Sequence, residues 1–163
     1  MKFKCVNEME QLSFDDSHVL AFKMEDRRME LTFSGALIKA GNSQNGRYQD
    51  MYCGEIILQL QNAEIARFIK EGLKYYDADG NLQKEIADED VPAPARSVVI
   101  NRLTKGKVFT VVTDTVETGY AYEFGIDVPR EDDEEEEDTF WLCVTCDETK
   151  AMWDRYASPV DEK

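Results

Sequence analysis

The chain has 163 residues, 42% of them hydrophobic, and carries 34 acids against 19 bases for a net charge of −15. Length and apolar content suit one globular β-rich domain over 1–163 with a single core, and exclude wholesale disorder. The acidity repels phosphates, which excludes nucleic acid as a direct ligand and anionic membranes as a docking surface.

The basic start at Lys2 and Lys4 is followed by no apolar stretch, so no secretory signal is read there. The longest apolar runs, 97–100 and 108–112, fall far short of the ~20 residues that span a bilayer. A soluble cytoplasmic protein is therefore expected. Cys5, Cys53, Cys143 and Cys146 show no framework spacing and read as reduced thiols.

Along the chain the dominant rhythm is a period of two. Residues 18–24 read as a strand and 25–28 as its turn. Met29, Leu31 and Phe33 then alternate with Glu30, Thr32 and Ser34 on a returning strand with one apolar face. Gly35 interrupts that alternation where a bulge is expected. Residues 41–54 form a polar loop with an Asn45-Gly46 turn signal, and 55–60 the next strand. Two readings compete over 62–75. Ile65, Phe68, Ile69, Leu73 and Tyr76 fit a helical face capped by Asn62. Ile65, Arg67 and Ile69 also alternate as a strand, and Gly72 weakens a helix interior. Extended structure is favoured, because Tyr75 and Tyr76 precede a hairpin-like turn at 77–81.

Pro92-Ala93-Pro94 reads as an extended connector. Residues 97–103 read as a strand turning at 104–106 into 107–112, with Gly106 in the left-handed position of a short loop. A turn near 117–119 leads into a strand at 120–126. The strand 140–144 is apolar on both faces, as a central strand is, with Trp141 and Leu142 on opposite sides. The spacing of Met152, Trp153 and Tyr156 predicts a short helix over 147–156, its Trp153 ring packed on the sheet. The sum is a mainly β fold, a β-sandwich or an open barrel, with a short C-terminal helix; a helix at 62–75 would make it α+β.

Between the strands at 120–126 and 140–144 stand eight consecutive carboxylates: Glu131, Asp132, Asp133, Glu134, Glu135, Glu136, Glu137 and Asp138. Removing them leaves 26 acids against 19 bases, so the run carries more than half the net charge. Like charges at adjacent positions must sit in water or against a basic partner. The run could bind a basic protein surface, collect calcium weakly, mimic a phosphate backbone, or serve as a solvated loop. From 91 to 113 there is no acid, while Arg96, Arg102, Lys105 and Lys107 supply bases, so an intramolecular pairing is a further alternative.

Other chemistry has weaker signals. Residues 77–81 open like a calcium loop, but its sixth position is Leu82 rather than Gly and its twelfth is Asp88, so a turn accounts for them better. Cys143 and Cys146 have the spacing of a metal half-site or redox pair, yet a second pair is missing and Cys143 falls within a strand. On that reading Cys143 is a small core residue and Cys146 a strand-end residue. Ser17 and His18 point to opposite faces of an extended segment and cannot serve as nucleophile and base. No nucleophile elbow or nucleotide-binding glycine pattern occurs.

The sequence therefore points to a small acidic protein, without catalytic residues, metal or cofactor, that engages a basic protein partner through residues 131–138. The composition is similar to that of small acidic proteins that neutralise basic toxins, an analogy of composition alone. A calcium- or ligand-binding β module, or an enzyme using carboxylates alone, is the alternative.

Overall fold

The computed structural model describes residues 1–114 and 116–159, so the C-terminal limit of the expected domain lies outside the described residues. Its strands are β1 (Phe3–Val6), β2 (Leu12–Ser13), β3 (His18–Glu25), β4 (Arg28–Ser34), β5 (Leu37–Ile38), β6 (Met51–Cys53), β7 (Ile56–Gln61) and β8 (Glu64–Lys70). They continue with β9 (Leu73–Tyr76), β10 (Leu82–Ile86), β11 (Glu89–Asp90), β12 (Lys107–Asp114), β13 (Tyr120–Pro129), β14 (Glu137–Cys146), β15 (Glu148–Trp153) and β16 (Tyr156–Pro159). Among the described residues there is one α-helix, α1 (Arg96–Leu103), which follows the 3-10 turn Ala93–Ala95; another 3-10 turn lies at Met9–Gln11. No helix of the described residues is long and apolar enough to cross a membrane.

Ten strands form one antiparallel sheet in the order β1-β15-β7-β4-β3-β12-β13-β14-β8-β11. Its middle is thin: β3 and β12 share one register pair, His18 with Lys107. On either side of that seam the sheet folds over onto itself. β14 and β15 are separated only by Asp147, yet lie in opposite halves of the strand order. β7 and β8, separated by Asn62 and Ala63, do the same. The two crossings run side by side, with Asp147 N–H donating to Gln61 O at 2.9 Å and Asn62 Nδ2 to Asp147 Oδ2 at 2.6 Å. The ladder ends at β1 and at β11, so no barrel closes.

Period-two alternation decides what lies between the layers. Met29, Leu31 and Phe33 of β4, Ile56, Leu58 and Leu60 of β7, and Phe140, Leu142 and Val144 of β14 are all buried. Leu142 faces inward while Trp141 stands half-buried on the outer face, as expected for a strand with neighbours on both sides. The hydroxyls of Tyr122 and Thr149 meet at 2.8 Å across the core, each satisfying the other. The segment 62–75 is extended, as favoured, in β8 and β9.

Helix and strand are exchanged in two places. Residues 97–103 lie in α1 rather than a strand. Pro92 and Pro94 preset the backbone of the 3-10 turn that feeds the helix, and proline is well placed there because those N–H groups have no partner. Val99, Ile100 and Leu103 then share one face on the core while Val98 is 62% exposed. This packing outweighs the β-propensity of the Val-Val-Ile run. Conversely, 148–153 is β15, paired with both β1 and β7, so the short helix of the fold is not C-terminal. Thr149, Ala151 and Trp153 are its buried side, and the Trp153 ring, fully buried as expected, sits on a strand. A helix there would strip two strands of their backbone partners.

Two smaller expectations also change. Gly106 does not take a left-handed φ; a Cβ there would stand 2.7 Å from Ile126 Cγ2, so its need is for close approach. The polar loop is partly regular, containing β6. Its Asn45 is buried, with Nδ2 donating to the carbonyls of Ile38, Lys39 and Gln49 at 2.9–3.1 Å.

Candidate functional site

The carboxylate run forms the end of the β13–β14 hairpin, whose ladder runs from Tyr120↔Cys146 to Pro129↔Glu137. The turn is closed by Arg130 N–H donating to Glu136 O and Glu136 N–H to Asp133 O, both at 3.0 Å. The structure divides the eight acids into two kinds. Asp138 points inward, its side chain 12% exposed, and accepts from Arg102 Nη2 at 2.9 Å and Arg130 Nε at 3.2 Å, with Lys70 Nζ at 3.8 Å. Burial would push its carboxyl up, but the Arg102 hydrogen bond and the charges of Lys70, Arg102 and Arg130 outweigh that and hold it below the usual range. Arg102 also lies 5.4 Å over the Phe140 ring, so this ionic cluster covers the end of the core. Glu131 Oε1 is 3.5 Å from Arg102 Nε, an ion-pair distance without hydrogen-bond alignment.

Asp132, Asp133, Glu134, Glu135, Glu136 and Glu137 are exposed, and among the described residues none of them makes an ion pair. Of the four internal bases, only Arg102 pairs with the run. Lys107 turns to Asp16 at 3.4 Å. Lys105 lines a shallow cleft with Glu131 and Glu134, and Arg96 buries an unpartnered Nε.

A second projection stands beside the loop. β8 pairs with β11, and β9 with β10 over Leu73–Tyr75, in one continuous register that shifts only near the tip, between Leu82 and Lys84, so together they are a single long hairpin broken at Gly72 and Ala87. The strands close tightly there: a Cβ on Gly72 would fall 1.9 Å from Ile86 O, and Gly72 N–H donates to Asp88 Oδ1 at 2.6 Å. Beyond that point the arm, 71–88, leaves the sheet as a two-stranded ribbon. Because Glu71 N–H donates to Thr139 O at 2.8 Å, the arm departs from the same end as the acidic loop. It exposes Tyr75, Tyr76, Leu82 and Ile86 by 45%, 58%, 49% and 38%.

Segments 71–90 and 130–138 together hold 15 acids and three bases, net −12 of the chain's −15. One end of the molecule thus carries nearly all the excess charge, and aromatic side chains with it. A cleft of about 300 Å³ separates the two projections, lined by Leu73, Tyr75 and Ile86 on one side and Arg130, Asp132 and Asp138 on the other.

The remaining candidates are placed as follows. Asp77 is the acceptor for Asp79 N–H, Asn81 N–H and the Asn81 and Gln83 side chains; the Asn81 backbone bond leads in holding its carboxyl below the usual range. This is a turn, tipped by Gly80 at φ +83°. Among the described residues no three His, Cys, Asp or Glu side chains converge as metal ligands do. Cys146 ends β14 as expected and is buried in the core, whereas Cys143 lies on the outer face rather than in the core, since a spacing of three in a strand puts them on opposite sides. Burial, then Glu123, pushes the Cys143 thiol up to about 11, unlike a nucleophile. Ser17 is buried with Oγ bonded to Phe14 O at 2.5 Å, and His18 is exposed on the surface of β3.

The arm's aromatics, Trp141 as a surface residue, and Lys70 join the site without having been expected from the sequence. Their signal was faint, a Tyr-Tyr pair ahead of an Asp-Gly turn. Neither family models nor curated proteins nor solved structures give a match to this chain.

Proposed function

We propose that this chain is a protein-binding protein without chemistry of its own, and that it engages a basic protein partner through the end of the sandwich carrying the acidic loop. The observation that carries this reading is the division of the run. Glu131 and Asp138 anchor the hairpin on Arg102, while Asp132 to Glu137 are exposed to solvent and, among the described residues, none is in an ion pair. Charges presented this way act at a distance. They raise the association rate with a basic surface more than they slow dissociation. At physiological ionic strength their field fades over about 8 Å, so added salt cuts the association rate.

The test is to capture partners from the source cell with the intact chain and with Glu134, Glu135, Glu136 and Glu137 all replaced by Gln, and to measure rates on the purified pair. The expected result is a basic partner whose association is slowed by salt and, at low salt, by the substitutions. An affinity insensitive to both would leave the loop as a device for solubility.

A further inference from the structure

On its outer side the arm forms a second cleft, of about 760 Å³, against β14. Its aromatic walls are Trp141 and Tyr76. Glu71, Glu85 and Asp88 stand along it, and Lys74 is its cation, 3.9 Å from Glu85. The Trp141 ring is held in place. Its Nε1–H donates to Glu71 Oε2 at 3.0 Å, and the ring meets Phe109 in a T-shaped contact at 5.3 Å and 85°. Phe109 in turn lies on the bare backbone of Gly125, where a Cβ would come within 2.5 Å of the ring. Tyr76 has no such support and is 58% exposed.

We propose that this cleft is a docking groove for an arginine-bearing segment of the basic partner. The inference rests on the reading that the partner is basic, and it adds which side chain is recognised and where. Charge complementarity selects the occupant, since three carboxylates against one lysine favour a cation. The aromatic walls narrow the choice. A guanidinium is planar, weakly hydrated and stacks on an aromatic face while bonding a carboxylate edge, whereas an ammonium is a strongly hydrated point charge. Asp88 uses Oδ1 for Gly72 N–H and Glu71 uses Oε2 for Trp141, so each has its other oxygen to offer. The acidic loop, on the other side of the arm, would attract the partner without choosing between arginine and lysine.

Trp141 supplies the readout, because Trp153 is fully buried and does not report on the surface. Two synthetic peptides of equal length and charge, one alternating arginine with glycine and the other lysine with glycine, are titrated against the intact chain while tryptophan emission is followed. The arginine peptide should bind about fivefold more tightly and change the emission, as stacking on an aromatic face predicts. Tyr76→Ser should remove the preference and leave both peptides at the lysine-peptide affinity. Trp141→Leu should do the same, with a thermal melt to verify its fold. Equal binding of both peptides, or a preference surviving Tyr76→Ser, overturns the groove while leaving the acidic-loop reading intact. Binding of neither peptide overturns both. Sedimentation showing a dimer that Tyr76→Ser dissolves overturns it in favour of a second copy of this chain.

Discussion

The acidic loop and the aromatic arm leave the same end of the sandwich as neighbouring hairpins, yet they are held in opposite ways. The loop is fixed at its base by ions: Asp138 takes Arg102, Arg130 and Lys70 where the core ends. The arm is fixed by backbone, through a register continuous with β8 and β11 and a closure at Gly72 that admits no side chain. Beyond their bases neither buries much. A two-stranded ribbon is marginal by itself, and a run of carboxylates cannot pack. The ordered contacts therefore lie at the two bases, and exposed charge and aromatic surface beyond them.

This division can be broken most directly at Asp138. Asp138→Ala leaves three cations around a largely buried gap and should cost about 3 kcal/mol in denaturant unfolding. Acid should weaken the same anchor without mutation. The folded carboxyl titrates below its unfolded value, so its stabilisation is complete above the ordinary carboxylate range and is lost as the pH falls through the folded pKa. A midpoint unchanged by the substitution would mean that the loop is not anchored there.

A smaller cost, about 2 kcal/mol, is expected for Gly72→Ala, since the added methyl meets the Ile86 carbonyl. Limited proteolysis should then cut faster near 77–81. An arm cut at the native rate would show that its base tolerates the methyl.

The smallest effect is reserved for the tip of the loop. Replacing Glu134 to Glu137 by Gln should move stability by no more than about 0.5 kcal/mol. A loss comparable to that of Asp138→Ala would erase the distinction between base and tip.

How far the sequence revealed this arrangement depends on which forces acted on each segment. At Met29, Leu31 and Phe33 one face meets the core and the other meets water, so alternation is written into the residues themselves. The hairpin placement of the carboxylates was legible for a related reason, because flanking apolar strands leave a charge run nowhere else to lie. Segments 97–103 and 148–153 were misread because the deciding partner is distant. A Val-Val-Ile run becomes helical when prolines start it and a core receives one face. Trp153 is extended because β1 and β7 lie on either side of it. Asp138 could not be told from Glu137 by type, since only the fold brings Arg102 and Lys70 to it. The arm escaped notice because its meaning lies in what fails to cover it.

The position of β15 between β1 and β7 also constrains the order of assembly. On a ribosome, β7 and its neighbour β4 are complete long before residues 148–153 emerge. Until then the β7 edge lacks the strand that will cover it, and the pocket for Trp153 is empty. Pairing Phe3 with Trp153 closes one of the longest loops the chain can form, which is costly in entropy and slow. An open, apolar-faced edge is also where nascent chains associate wrongly. The late-emerging β15 thus both completes this sheet and covers the edge most open to aggregation.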